Sequence, residues 1–394
     1  MNSTDPIVFI EGARTPVGSF AGAYADVPAH ELGATAVTEA VNRAGLLPQD
    51  VDEFIIGNVG QVGPDAFIAR RVALAAGART SSTAMAVNRL CGSGLQAVAS
   101  AANELRFGDA RIVIAGGVEN MTRQPFLDFQ ARNGNRLGHH TLVDGTLSLV
   151  TDPWGDYPMG VTAENVATRF SVSRQQQDEF AAESQRRAAK AQSSGFVDAE
   201  ITPVTIQNRK GDVIVDKDEH LRPGTTKEKL AALRPAFAKE GSVTAGNSAG
   251  INDAGAALVL CSRATASERN LSTIGELVAF TKVGIEPEIM GYAPTLAVAQ
   301  VLDKAGLGLN DIGWIELNEA FAAQAIAVQR DAKLDPAKVN PLGGAIAWGH
   351  PIGATGVILT LRALYGMRRT GVEHGLITMC IGGGQAVAAV VRAH

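Results

Sequence analysis

Residues 36–56, AVTEAVNRAGLLPQDVDEFII, align without a gap with residues 297–317, AVAQVLDKAGLGLNDIGWIEL. Ala36, Val37, Ala44, Gly45, Leu46 and Asp50 recur in the second copy, while Val41, Arg43 and Val51 become Leu302, Lys304 and Ile312. Each copy reads as an amphipathic helix stopped by Ala-Gly-Leu, then a short loop and an apolar strand. Identities and helix-stop chemistry fall together, so the chain is expected to hold two homologous α/β halves, each βαβ-like with parallel strands. The same offset carries Cys91 onto Ile352, two residues from His350, and carries Gly57 onto Asn318. Packing of the halves about a pseudo-twofold axis would let the Cys91 and His350 turns face each other.

Composition agrees with a large α/β protein. The 394 residues exceed the usual size of one domain, 46% are hydrophobic, and there are 43 glycines. A net charge of −5 argues against nonspecific binding to nucleic acid or to an anionic membrane. No apolar run reaches membrane-spanning length, and MNSTDPIVFIEG lacks a basic flank and signal core. Cys91, Cys261 and Cys380 are too few for a disulfide framework and favour a reducing compartment. The expected location is cytoplasmic.

Between the copies the character changes. Polar QARNGNRLGHH and TDPWGDYPMG precede two helical runs, TAENVATRF and SRQQQDEFAAESQRRAAKA, the second opened by a Ser173/Gln176 capping box. The expected division is 1–120 plus 251–270 for the first half, 121–250 for an inserted loop domain, and 271–394 for the second half.

Three turns carry reactive side chains among glycines. Cys91, in VNRLCGSGLQA, stands at a helix start, where the dipole favours thiolate; Gly92 and Gly94 leave room for a substrate carbonyl. His350, in WGHPIGATG, is the type of residue that activates a cysteine, and Pro351 suits a first helical position. Cys380 ends the apolar run GLITMC, where a thiol with a tunable pKa serves as acid or base. The Gly382–Gly384 run offers N–H groups for an oxyanion, and the Asn318 amide offers a second such donor. Each has a plainer reading: a buried thiol, a capping histidine, a packing turn, a turn cap. Metal binding fits poorly, since His139-His140 has no partners at ligand spacing.

Taken together, ARTPVGSF (13–20), VNRLCGSGLQA, VIAGGVENM, MGVTAENVA, TAGN, LNEAFAAQ, GGAIAWGHPIGATG and CIGGG resemble the thiolase family over nearly the full length. The resemblance implies a duplicated α/β/α fold, a five-layered core with an inserted loop domain, assembled as a homodimer or homotetramer. It implies Claisen condensation or thiolysis of short 3-oxoacyl-CoA, with coenzyme A and acyl-CoA as substrates and no permanently bound cofactor. Cys91 would carry the acyl group and His350 would activate it. Cys380 would handle the Cα proton. Asn318, through a water, and His350 would hold the enolate oxygen; the N–H groups of Cys91 and Gly382 would hold the tetrahedral oxyanion. Arg222 would pack on adenine, the segment around Ser248 would meet pantetheine, and Met159, Met290, Ala320 and Phe321 would wall the acyl pocket.

The chain departs from the family pattern at Ser248-Ala249, where the order is commonly reversed, at Pro158 in place of a histidine, and at Trp348 in place of an aliphatic residue. Trp348 either narrows a pocket or packs. IELNEAF and DEHLRP resemble degradative thiolases of longer or substituted chains. A ketoacyl-synthase type of enzyme would place a second histidine where Cys380 stands, and a noncatalytic acyl-CoA-binding relative would have no use for all four side chains.

Overall fold

The computed structural model describes residues 5–134, 137–209 and 211–394; residues 1–4, the start of the stretch inspected for a leader, and Asn135 and Arg136 of the polar run lie outside it. Its core strands are β1 (Ile7–Arg14), β2 (Glu53–Gly57), β3 (Thr83–Val87), β4 (Ile112–Asn120), β5 (Asn252–Ser262), β6 (Gly275–Gly284), β7 (Trp314–Leu317), β8 (His374–Ile381) and β9 (Gln385–Ala393). The main helices are α1 (Ala29–Arg43), α2 (Ile68–Ala75), α3 (Ser93–Phe107), α4 (Met159–Arg169), α5 (Arg174–Ser193), α6 (Pro294–Ala305), α7 (Ala322–Asp331) and α8 (Thr355–Thr370).

The repeat is visible atom by atom. Helix α1 stops at Gly45 (φ 68°) and α6 at Gly306 (φ 69°), the left-handed conformation that glycine adopts without a Cβ penalty. In each copy the next residue bonds back into the helix, Leu46 N–H to Val41 at 3.1 Å and Leu307 N–H to Leu302 at 3.0 Å. The shared aspartate caps the following turn, Asp50 on Leu47 N–H (2.9 Å) and Asp311 on Gly308 N–H (2.8 Å). Val51 and Ile312 are then fully buried and lead into β2 and β7.

The strands lie in the order β7-β8-β9-β6-β1-β5-β4-β2-β3. Parallel pairing holds for β3–β2–β4 and β7–β8. Pairing is antiparallel at β4–β5, β5–β1, β6–β9 and β8–β9, so each half-sheet is mixed rather than purely parallel. The halves join edge to edge at β1–β6 through only Val8–Glu276 and Phe9–Gly275.

Alternation along the strands sorts the core into layers. Phe54 and Ile56 pack outward with Leu32 and Val37 of α1 and Val72 of α2, whereas Ile55 packs inward with α3. Leu376 faces α6 and α7 on the other side, and Ile377 faces the centre. Helices α3 and α8 share that central layer, through Leu95 and Val98 on one and Val357 and Leu361 on the other. This gives α1/α2, sheet, α3/α8, sheet, α6/α7, the expected five layers.

The central helices touch main chain to main chain. A Cβ on Gly94 would stand 2.8 Å from Val357 N, and one on Gly356 would overlap the Leu95 amide nitrogen. Gly92 likewise opens toward Ile381. The room left by Gly92 and Gly94 is therefore filled by the other half, not by a substrate carbonyl.

Between β4 and β5 the chain leaves the core to form α4, α5 and three two-stranded hairpins at 126–144, 151–158 and 204–215. Ser173 and Gln176 make the reciprocal capping box that opens α5, at 3.2 and 2.8 Å. No described helix is long and apolar enough to cross a membrane.

Candidate active site

The Cys91 turn is fixed by its own neighbours. Leu90 sits at φ 46°, an unfavourable conformation for a branched residue. Asn88 Oδ1 accepts its N–H at 3.0 Å, and Ser93 Oγ accepts Arg89 N–H (2.9 Å) while donating to Leu90 C=O (2.6 Å). Cys91 itself is half-buried against Val59, Met121 and Ile352. Burial pushes its thiol up to about 11, against the pull of the main-chain N–H groups of Gly382 and of Cys91 itself. The helix dipole therefore does not leave a free thiolate at rest, and the sulfur needs a base.

His350 is buried in the loop between the short helix Ala345–Trp348 and α8. Burial pulls its imidazole down to about 4, so the ring is neutral at pH 7. Its tautomer follows from Thr355. The threonine hydroxyl donates to Pro351 C=O at 2.9 Å, so toward His350 Nδ1, 2.7 Å away, it accepts. The proton is thus on Nδ1, and Nε2 carries the lone pair. Asn318 Nδ2 faces Nε2 at 3.4 Å, while Asn318 Oδ1 is buried with no hydrogen-bond partner among the described residues.

The loop is pinned along its length. Glu319 accepts from Ile346 N–H (3.3 Å), Asn252 from His350 N–H (3.0 Å), and Glu119 from Gly353 N–H (3.0 Å). Trp348 packs: it is buried, its indole N–H bonds Leu342 C=O at 2.9 Å, and the Arg362 guanidinium lies 5.0 Å from the ring centre.

Cys380, at the end of β8, is wholly buried beside Met290 and Ala320, with Met159 and Phe321 packed against them. Burial, and next the Cys91 thiol, raise its pKa well above the ordinary range. Gly382 follows in a turn whose Gly383 and Gly384 have φ 83° and 79°. A Cβ on Gly382 would lie 3.2 Å from Met159 Cε and 3.3 Å from Leu90 Cδ1, so the turn is sandwiched between the Cys91 loop and α4. Phe237 meets Phe321 edge to face at 6.0 Å and extends this apolar wall.

The structure brings Cys91, Gly382, Met159, Cys380, Met290, Ala320 and Phe321 together at the junction of the halves, with Ile352 of the His350 loop packed against Cys91 and His350 facing Asn318. Ser248 reaches its edge through a bridge to Phe321, and its hydroxyl donates to Thr244 C=O at 2.7 Å. Arg222 lies outside the buried group. Its side chain is exposed, and its N–H is held at 3.0 Å by Gln185, whose amide also bonds Ile346 C=O at 3.1 Å. Sequence reasoning missed Thr355, Asn252 and Glu119, and noted Glu319 beside Asn318 without giving it a role. The available signals were a hydroxyl one turn behind a histidine and an acid closing an otherwise apolar strand.

The family model described as "Thiolase, N-terminal domain" matches residues 7–264, and "Thiolase, C-terminal domain" matches 271–393. The chain is 48% identical to Beta-ketothiolase BktB of Cupriavidus necator over 389 residues, 98% of this chain and 99% of that one. Its fold matches the acetyl-CoA acetyltransferase of Bacillus anthracis with a TM-score of 0.98 at 41% identity, covering 100% of both chains. It also matches human mitochondrial 3-ketoacyl-CoA thiolase in complex with CoA, with a TM-score of 0.96 at 36% identity over 99% of this chain and 98% of that one. The chain belongs to the thiolase family. It is an acyltransferase that acts on CoA thioesters.

Proposed function

We propose that Cys91 attacks a CoA thioester and carries the acyl group, with His350 Nε2 taking the thiol proton. The observation that carries this reading is the approach to one sulfur of N–H groups from opposite halves, those of Cys91 and Gly382. Both would donate to the oxyanion of a tetrahedral intermediate formed on that sulfur. His350 then delivers the proton to the departing CoA sulfur. Cys380 passes its own proton to the freed His350 Nε2 and, as thiolate, takes a Cα proton from a second acetyl-CoA; the new Nε2–H, and Asn318 through a water, hold the enolate oxygen. Attack of the enolate on the acyl-Cys91 thioester forms the new C–C bond and breaks the C–S bond; the expelled Cys91 thiolate takes the proton back from His350 Nε2 as 3-oxoacyl-CoA leaves. In thiolysis the steps reverse, and the raised pKa of Cys380 keeps the thiol protonated, ready to donate to the Cα carbanion.

CoA and its esters enter as substrates, and no permanently bound cofactor has a step. Arg222 serves the adenine end and the 248 segment the pantetheine arm. With its proton committed to Thr244, Ser248 offers pantetheine only lone pairs. Met159, Met290, Ala320 and Phe321 receive the acyl group, and we favour short chains such as acetoacetyl-CoA. The 121–250 segment supplies CoA contacts and oligomer contacts. A homodimer or homotetramer is supported by β3, which ends the sheet with Met85 41% exposed. Three free thiols support a cytoplasmic location.

The test is to incubate the enzyme with acetyl-CoA, quench in acid and map the added acetyl mass. Label on Cys91, and cleavage of acetoacetyl-CoA only when free CoA is present, are expected. Label on Cys380 or Cys261 with none on Cys91 would overturn the assignment.

A further inference from the structure

Glu119 has no part in the chemistry above, yet it is buried at the point where the halves interlock. Its Oε1 accepts from Gly60 N–H (2.9 Å) and Asn58 Nδ2 (3.1 Å), and its Oε2 accepts from Val59 N–H (3.0 Å) and Gly353 N–H (3.0 Å). Four donors match the four acceptor positions of an ionised carboxylate. Three of these donors belong to the chain just beyond β2, in the first half. The fourth lies three residues past His350, in the second.

The fit around Gly353 leaves no slack. A Cβ there would stand 2.6 Å from Val118 O and 2.9 Å from Asn58 Cα, and a Cβ on Gly57 would stand 2.8 Å from Gly353 O. The loop of one half is thus plugged into the strand ends of the other. Val59, whose own N–H is clasped, and Ile352, next to the clasped Gly353, are two of the side chains packed around Cys91.

We propose that Glu119 is a positioning residue that holds the His350 loop at working distance from the Cys91 thiol by clasping both halves through one carboxylate. The inference rests on the Cys91–His350 pairing proposed above. Burial pushes the carboxyl up to about 7, and the three main-chain N–H groups pull the other way, so the donors offset part of the cost of a buried charge. An acceptor-only group is what these donors require. Glutamine would turn an NH₂ toward two of them.

The test compares Glu119→Gln with Asp52→Asn. Asp52 grips the same pair of strands at their far end, accepting from Arg111 N–H (2.8 Å) and Ile112 N–H (3.1 Å). Single-turnover acetylation of Cys91 by acetyl-CoA is followed by mass spectrometry alongside KM and thermal unfolding. Glu119→Gln should slow acetylation by about 10²-fold, the cost of roughly 1 Å of misplacement, with KM changed less than about twofold. Asp52→Asn should acetylate like the wild type even where its Tm falls as far. Acetylation of Glu119→Gln within about threefold of wild type, or an equal loss in Asp52→Asn at matched Tm, would overturn the proposal. Should Glu119→Gln fail to fold, Glu119→Asp, which keeps the charge and shortens the reach, is read in the same way with an expected loss of about 10-fold. Wild-type protein that takes no acetyl on Cys91 would instead defeat the proposed reaction, and this inference with it.

Discussion

Each half leads into a central helix through a turn that carries a reactive side chain, Cys91 after strand β3 and His350 after the short helix Ala345–Trp348, and the two turns are held by opposite means. The Cys91 turn is local: Asn88 and Ser93 stabilise a strained Leu90 from within six residues, and the thiol stays half-open. The His350 loop is fastened by residues far along the chain, Glu119, Asn252 and Glu319, and is buried. A nucleophile must meet a substrate, so its turn can be self-contained. A residue proposed as base must stay neutral and present one nitrogen, and His350 is fixed from several directions.

The largest effect that would sharpen this contrast concerns Cys380, on the second half with His350. Cys380→Ser should still take an acetyl group on Cys91, yet lose turnover by about 10²-fold or more, as for a positioned acid or base. It should also fail to exchange the methyl protons of acetyl-CoA with deuterium, read by NMR. Unimpaired exchange would remove Cys380 from the chemistry and leave the second half with His350 alone.

A smaller effect tests the tautomer. Thr355→Val leaves a buried Nδ1–H without its acceptor, worth about 1–3 kcal/mol, or roughly 5- to 150-fold in acetylation rate. The pH profile adds a sign. Protonated His350 cannot take the thiol proton, and its pKa lies at about 4, so its limb should fall as pH drops through that value. A limb centred near 6.5 would mean an imidazole open to water, erasing the difference between the two turns.

The smallest expected effect lies outside both turns. Arg222→Ala should raise KM for CoA esters by about 3- to 10-fold with kcat nearly unchanged, because stacking on adenine serves ground and transition states alike. Pantetheine thioesters lacking the nucleotide should not distinguish mutant from wild type. A wild-type KM with CoA esters would take Arg222 out of CoA recognition.

The same contrast explains what the sequence made legible. The duplication was readable because Gly45 and Gly306 stop their helices, and Asp50 and Asp311 cap their turns, through neighbours a few residues away. Cys91, His350, Cys380 and Asn318 stood out through chemistry placed at strand and helix ends. Glu119 and Asn252 did not, since their partners lie between 59 and 234 residues away and no local pattern encodes them. The mixed pairing was hidden for a related reason: β5 returns beside β4 only after a 131-residue excursion. The glycines of the Cys91 turn were seen but assigned to substrate, because what they admit, α8 at Gly94 and Ile381 of β8 at Gly92, enters from the other half.

The seam between the half-sheets consists of two residue pairs, Val8–Glu276 and Phe9–Gly275. Cohesion comes instead from the crossing of α3 and α8 at Gly94 and Gly356 and from the His350 loop seated in the first half. The peptide link between the halves, around Arg269–Thr273, is mostly on the surface and supplies none of that grip. In physical terms the molecule resembles a heterodimer whose subunits share one polypeptide, and the proposed catalytic centre is the interface between them.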